Sequence, residues 1–187
     1  MTKKIVVGGP PRSGKSTFVA SMRRALLDIG VRADYVELDP YASTLALLEG
    51  LMTPEERLRS KRKDISNEEI LQVAERLASV AESVDILLGD LPGMITEQTR
   101  MLCRYATHAI IICSDQSPEQ MSEWHKFFEE LRIPVIAKIV SKLHGNEEVK
   151  STNRDTTEAV LIGLDREVKV GDTLTRIAIM LETIMNL

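Results

Sequence analysis

The sequence predicts an α/β fold in three layers, a mostly parallel sheet with helices on both faces. Short apolar runs suited to buried strands alternate with stretches of helical spacing along the chain. The first run, Lys3 to Val7, feeds a glycine-rich turn and then a helix, the opening of a crossover unit. No repeat or linker breaks the alternation, so residues 1–187 are expected to form a single domain.

Ile5, Val6 and Val7 in series suit a strand covered on both faces. Gly8 to Thr17 then reads G-G-P-P-R-S-G-K-S-T, and from Gly9 it fits a phosphate-loop pattern: Gly9, four residues, Gly14, Lys15, Ser16. Such a loop wraps backbone N–H groups round phosphate oxygens at the positive end of a helix, so anion affinity comes from the main chain. Pro10, Pro11, Arg12, Ser13 and Thr17 complete the candidate cradle. Lys15 would reach the outer phosphates, and the Ser16 hydroxyl would ligate Mg²⁺. The competing reading is a glycine-proline turn that merely caps a helix.

A helix is expected from Lys15 to Ile29, with Val19, Met22, Leu26 and Ile29 on one face and Gly30 ending it. Ala33 to Leu38 reads as the second strand. It delivers Asp39 and Pro40 to its C-terminal end, the sheet edge where open α/β folds bind ligands. Asp39 reads either as facing a terminal phosphate or second substrate, or as a turn residue before proline. A short apolar helix, Leu45 to Met52, precedes Thr53 as cap and Pro54 at the first helical position. Arg57, Arg59, Lys61, Arg62 and Lys63 follow. They read as a lid over phosphates, as a contact for an acidic partner, or as a solvated helix face. Ser66 with Glu69 is a capping box for a helix to Ser83, whose buried stripe is Ile70, Val73, Ala74, Leu77, Ala78 and Ala81.

Val84 to Leu88 is the third strand, followed by Gly89-Asp90-Leu91-Pro92-Gly93. An acid at the end of a core strand is placed to hold Mg²⁺, directly or through water, so Asp90 joins Ser16 as a candidate metal ligand. Gly93 could offer its N–H to a terminal phosphate, as switch loops do. Alone, D-x-x-G is usually a turn; the phosphate loop upstream gives it weight. No glutamate follows Asp90, so the Asp-Glu pair of motor-type ATPases is absent.

Thr96 to Tyr105 is expected to be helical and Ala106 to Cys113 to be the fourth strand. Ser117 to Gln120 reads as a capping box with Pro118 at the first helical position, opening a helix to Leu131. Met121, Trp124, Phe128 and Leu131 read as core, with an interface anchor as the other reading of Trp124. Ile133 to Val140 is the fifth strand. After it, Ser141-Lys142-Leu143-His144-Gly145 stands where a guanine-reading GTPase carries Asn-Lys-x-Asp. His144 replaces the acid, which argues for adenine or loose base selection; His144 itself reads as a surface loop residue. Gly145 to Thr157 reads as a polar loop. Ala159 to Leu164 is the sixth strand, and Gly163 to Arg166 lies where such folds often pack against a base. Asp172 is expected to cap the last helix, with Leu174, Ile177, Ala178, Leu181 and Ile184 as its stripe.

The totals suit one globular domain, with 43% hydrophobic and 28% charged residues. Lys and Arg number 24 against 28 acids, a formal charge of −4, so no global basic field points to nucleic acid or an anionic membrane. Only the local cluster Arg57 to Lys63 leaves nucleic acid open as a partner. Two cysteines, Cys103 and Cys113, lack metal spacing and are expected as buried free thiols in a reducing cytosol. No apolar stretch approaches the roughly 18 residues of a membrane span, and no signal peptide precedes the first strand, so a cytoplasmic location is expected.

Gly9 to Ser16, Asp39, and Asp90 to Gly93, in that order, resemble the kinase and GTPase branch of the P-loop NTPases, especially its dethiobiotin synthetase-like and MinD-like members. The resemblance implies the three-layer P-loop NTPase fold, with ATP and Mg²⁺ as ligands. One departure is Pro10, which stands where MinD-like proteins carry a second lysine, so ATP-driven dimerisation through that lysine is not supported. A homodimer otherwise stays open. Gly8 to Pro11 with Ser13 to Ser16, Ala106 to Ile111, Ser114-Asp115, Glu123-Trp124 and Pro134 to Ala137 further resemble the P-loop ATPase or kinase-like module fused to CRISPR-associated type III ring nucleases. From that resemblance only nucleotide binding carries over.

Three functions fit these residues. One is an ATPase or kinase-like phosphotransferase of unknown acceptor, with Lys15 and Mg²⁺ spreading charge, Asp90 holding the metal, and Asp39 orienting the acceptor. Another is a nucleotide-dependent switch, on ATP or GTP, acting on a protein partner with Asp39 and Gly93 as its sensing pair. The last is a module that only binds nucleotide.

Overall fold

The computed structural model describes residues 2–40, 44–48, 50–56, 65–79, 83–152, 156–164 and 167–185. Its strands are β1 (Lys3–Gly8), β2 (Ala33–Glu37), β3 (Ile86–Asp90), β4 (His108–Ser114), β5 (Val135–Lys142), β6 (Glu148–Thr152) and β7 (Thr157–Ile162). The helices are α1 (Lys15–Asp28), α2 (Thr44–Leu48), α3 (Asn67–Ser79), α4 (Glu97–Leu102), α5 (Pro118–Glu130) and α6 (Asp172–Ile184). A 3₁₀ turn, Cys103–Tyr105, extends α4.

The strands form one seven-stranded sheet in the order β2-β3-β1-β4-β5-β7-β6. All its pairings are parallel except that of β6 with β7. The apolar runs read as covered strands are covered because alternate side chains enter opposite layers. Ile5 and Val7 of β1, with Ile86 and Leu88 of β3, pack among α1, α2 and α6. Val6 and Leu87 point the other way, among α3, α4 and α5. This is the α/β architecture the alternation predicted.

The sequence signals of helix ends mostly act as drawn. Gly30, at φ 88°, follows α1; its N–H donates to Leu27 O and that of Val31 to Leu26 O, the paired bonds of a Schellman stop. Ser66 and Glu69 bond reciprocally through Ser66 N to Glu69 Oε2 at 3.0 Å and Glu69 N to Ser66 Oγ at 3.3 Å. Thr53 and Glu56 do the same ahead of the basic cluster. Arg57 to Lys63 lies outside the described residues, as do Asp165 and Arg166.

Several expectations are corrected. Gly145 to Thr157 is not a loop throughout, because β6 occupies Glu148–Thr152 and forms a hairpin edge on β7. An edge strand has one neighbour, and Val149 is the apolar residue of β6 that packs on the core, so the sequence Glu148 to Thr152 carries no apolar period. Ser117 makes no side-chain bond to the start of α5: its carbonyl takes the N–H of Gln120 instead, and Gln120 Oε1 has no partner among the described residues. Asp172 is the first residue of α6 rather than its cap, which is Gly171. A cap not foreseen is Thr96, whose Oγ1 accepts from Thr99 N at 3.1 Å at the start of α4. Trp124 is 2% exposed and stacks among Phe127 and Phe128, so it belongs to the core rather than to an interface.

Both cysteines are free and buried. Burial pushes the Cys103 thiol up to about 12 and that of Cys113 up to about 11, which keeps both protonated and unreactive. Among the described residues no helix is long and apolar enough to cross a membrane.

Candidate functional site

β1 lies inside the sheet, between β3 and β4, and ends at Gly8, beneath the aromatic face of α5. A Cβ on Gly8 would stand 2.6 Å from Trp124 Cε3, so only glycine lets the strand pass under that ring. The chain then turns at Gly9 with φ 147°, where a Cβ would meet Ile112 O at 1.9 Å. Gly14, at φ 87°, ends the loop against Leu164, whose Cβ would be 2.6 Å from a side chain placed there. Arg12 also sits in the left-handed region, at φ 61°, a conformation a non-glycine residue holds only when its surroundings impose it. The first and last glycines of the pattern are thus fixed by close backbone approach, not by turn propensity alone.

The loop opens directly into α1, whose N-terminal residue has no side-chain cap among the described residues and no acid in its first turn. An uncapped helix N-terminus next to a tight loop is suited to an external anion. Lys15 is only 8% exposed, and its Nζ donates to Pro10 O at 2.9 Å. Burial lowers its pKa, while the charges of Asp90 and Asp39 pull it back up. Thr17 is buried behind it.

β3 brings Asp90 into register with Val7 of β1 and with Glu37 of β2, so the ends of these neighbouring strands meet beside the loop. Asp90 is 2% exposed, and its Oδ2 accepts from Ser16 Oγ at 2.5 Å. Its Oδ1 has no partner among the described residues, and neither has the buried Ser13 Oγ. Burial raises the Asp90 carboxyl to about 6, against the opposing pull of Ser16 and Lys15. A buried carboxylate normally has both oxygens satisfied, so the remaining Asp90 oxygen is suited to a ligand from outside the chain.

Asp39 is half-buried just past β2, close enough for its charge to act on both Lys15 and Asp90. Gly93 lies on the loop itself: a Cβ there would come 2.6 Å from Pro11 N. Lys15, Ser16, Asp39, Asp90 and Gly93 are therefore brought together from three separate stretches of chain. Beside them, a cavity of about 430 Å³ opens between Arg12 and Gly14, Ser114 to Gln116 at the end of β4, Ser141 to His144 at the end of β5, and Leu164. His144 is part of its wall.

One residue escaped sequence reading. Glu37, half-buried at the end of β2, accepts the N–H groups of both Thr44 and Leu45 through Oε1. Burial raises it to about 7, the two N–H bonds pull the other way, and the charges of Asp90 and Asp39 add to the rise. The signal that could have found it is an acid in a buried strand immediately before the Asp39 turn.

No family model matches the chain, and no curated protein matches it. Solved structures do. A putative plasmid partition protein from Borrelia burgdorferi, bound to AMPPNP, is 13% identical, with 99% of this chain covering 98% of that one at a TM-score of 0.63. The septum site-determining protein MinD from Pyrococcus horikoshii, complexed with Mg-ADP, is 16% identical over 75% of this chain and 70% of its own, at 0.59. Cobyrinic acid a,c-diamide synthase from Mycobacterium smegmatis, with an ATP analogue and magnesium, is 17% identical over 77% and 74%, at 0.55. At these identities the likeness establishes the fold alone, a mostly parallel sheet with helices on both faces.

Proposed function

We propose that this chain is a Mg²⁺-dependent, ATP-binding P-loop ATPase, with Gly9 to Thr17 as phosphate cradle and Ser16 and Asp90 as metal ligands. The observation that carries this reading is the buried Asp90, hydrogen-bonded to Ser16 on one oxygen and unpartnered on the other among the described residues, next to the uncapped start of α1. The residues fit the ion: a hydroxyl and a carboxylate are hard oxygen donors of the kind Mg²⁺ takes. When bound, the metal would supply positive charge that neutralises the outer phosphates.

The chain's own groups divide the remaining work. Lys15 exchanges Pro10 O for a phosphate oxygen, keeping its hydrogen bond while its charge meets the developing negative charge. Ser16 and Asp90, hydrogen-bonded to each other, would hold the ion. Asp39, within electrostatic reach of Lys15, orients the attacking water or an acceptor hydroxyl. Gly93 presents its N–H from a loop that touches Pro11. ATP is preferred over GTP because His144, in the cavity wall, stands where a guanine-reading carboxylate would be. Two structural neighbours of this fold also hold ADP or an ATP analogue with magnesium.

A single cytoplasmic domain of residues 1–187 accords with this reading. From the resemblance to dethiobiotin synthetase-like proteins and to the CRISPR-associated module, only nucleotide binding is taken. A second reading, the switch acting on a protein partner, is favoured by Met94 and Ile95. They are 66% and 41% exposed directly after Gly93, at the place where a loop sensing the terminal phosphate would display them.

A thermal-shift titration with ATP, ADP, GTP and GDP, with and without Mg²⁺, tests the proposal. Ligand at 100 times its dissociation constant adds about 2.7 kcal/mol to stability, a shift plain in a melt. The expected result is an ATP and ADP shift that needs Mg²⁺ and is lost in Lys15→Ala. No shift with any nucleotide would overturn it.

A further inference from the structure

The segment that carries Asp39 is tied at both ends to the sheet. At its start, the buried Leu38 donates its N–H to Asp90 O at 2.9 Å. At its far end, Thr44 and Leu45 donate theirs to Glu37 Oε1, so the carboxylate reaches from the last residue of β2 to the first residues of α2. Leu45 is 0% exposed and packs among the apolar residues of β1, β3 and α1, so its N–H has no access to water. A buried amide needs an acceptor, and Glu37 is the one it has. Sequence distance does not explain the arrangement by itself: α2 could start with a serine or aspartate cap from its own flank, as α3 does with Ser66.

We infer that Glu37 is a positioning residue, which holds Asp39 beside Lys15 by anchoring the far end of the segment that carries it. The inference deepens the nucleotide reading above and rests on it. The near end of this strap, Leu38, is hydrogen-bonded to the same strand that supplies Asp90, and Glu37 itself is in register with Asp90. Asp39 thus lies between two anchors, Leu38 on Asp90 O and Thr44 with Leu45 on Glu37. Opening the far anchor should leave the phosphate cradle intact, since Glu37 makes its hydrogen bonds with Thr44 and Leu45 rather than with Gly9 to Thr17. The consequence is specific. Losing Glu37 should blunt the distinction between a nucleotide with a terminal phosphate and one without, and should spare binding of the diphosphate.

The test compares wild type, Glu37→Ala, Glu37→Gln, Asp39→Ala and the Glu37→Ala/Asp39→Ala pair. Trp124, the single tryptophan, lies against Gly8 at the mouth of the loop and reports binding by fluorescence. The probes are ADP and a non-hydrolysable ATP analogue with Mg²⁺. In Glu37→Ala, the ratio of analogue to ADP affinity should fall about fivefold or more towards that of Asp39→Ala, with ADP affinity held within about twofold. Glu37→Gln keeps a carbonyl oxygen for the same N–H groups and should recover at least about half of the discrimination. In the pair, Glu37→Ala should add less than about twofold to Asp39→Ala, because both act through one group.

Amide hydrogen exchange of nucleotide-free protein reads the strap directly. Thr44 and Leu45 should exchange about tenfold faster or more in Glu37→Ala, and near the wild-type rate in Glu37→Gln. Unchanged exchange in Glu37→Ala, or discrimination kept in that variant, overturns the role. A wild-type protein that binds neither nucleotide overturns the nucleotide reading instead, and the exchange rates then still decide whether Glu37 anchors the segment.

Discussion

The Ser16 hydroxyl donates to Asp90 Oδ2 at 2.5 Å across 74 residues of sequence, joining the start of α1 to the end of β3. That bond holds a carboxylate in a place where burial alone would make it unwelcome. Removing the charge should therefore help the empty protein and harm the loaded one. Asp90→Asn is expected to melt at or above the wild-type temperature without nucleotide, and to lose the Mg²⁺-dependent part of its stabilisation by ADP. Paired melts with and without MgADP check both halves.

The same carboxyl sets a pH dependence. Its pKa rises from 3.8 to about 6 on folding, so between those values the folded state holds more protons than the unfolded one. Stability from this group is present at low pH and is lost as pH rises through about 6, amounting to on the order of 3 kcal/mol. Glu37, raised from 4.5 to about 7, acts in the same direction between those values. Other groups titrate too, so the informative quantity is the difference between wild type and Asp90→Asn in urea unfolding. From pH 4 to pH 7 the balance should move towards the variant. A difference that does not change with pH would contradict the burial of a charge at this position.

Glycines at similar φ separate backbone strain from crowding. Gly14 and Gly30 lie at φ 87° and 88°, but a Cβ on Gly14 meets Leu164 at 2.6 Å while one on Gly30 meets nothing within 4 Å. Gly30→Ala should cost about 1–2 kcal/mol, the left-handed penalty alone. Gly14→Ala should cost about 1–2 kcal/mol more, as the loop is pushed off the turn after β7. Equal losses in denaturant unfolding would show that the packing of Leu164 on the loop adds nothing.

The two serine signals ahead of helices should part company on mutation. Ser66→Ala removes a formed reciprocal cap and should cost about 1 kcal/mol. Ser117→Ala removes a side chain that makes no capping bond and should stay within about 0.5 kcal/mol of wild type. Chemical denaturation of the two variants decides it.

These contrasts show which parts of the molecule were legible before it was folded. That the glycine loop, Asp39 and Asp90 would lie at the ends of β1, β2 and β3 could be read, because alternating apolar runs say where strands end. β3 still runs to Asp90 rather than stopping at Leu88, since Gly89 continues the ladder without needing an apolar side chain. β6 could not be read, because the sequence of this edge strand, Glu148 to Thr152, carries no apolar period. Ser117 and Ser66 carry the same motif, and only three-dimensional context decides which hydroxyl turns to its helix. Glu37 was hidden for a different reason: its partners are backbone amides, which have no letter in a sequence.

The most direct test of the account is calorimetric titration of ADP into wild type and Asp90→Asn, with and without Mg²⁺. The account predicts one binding event in wild type that weakens about tenfold or more without Mg²⁺, and no such metal dependence in the variant. Binding of equal strength with and without Mg²⁺ in both proteins, or no heat in either, would contradict it.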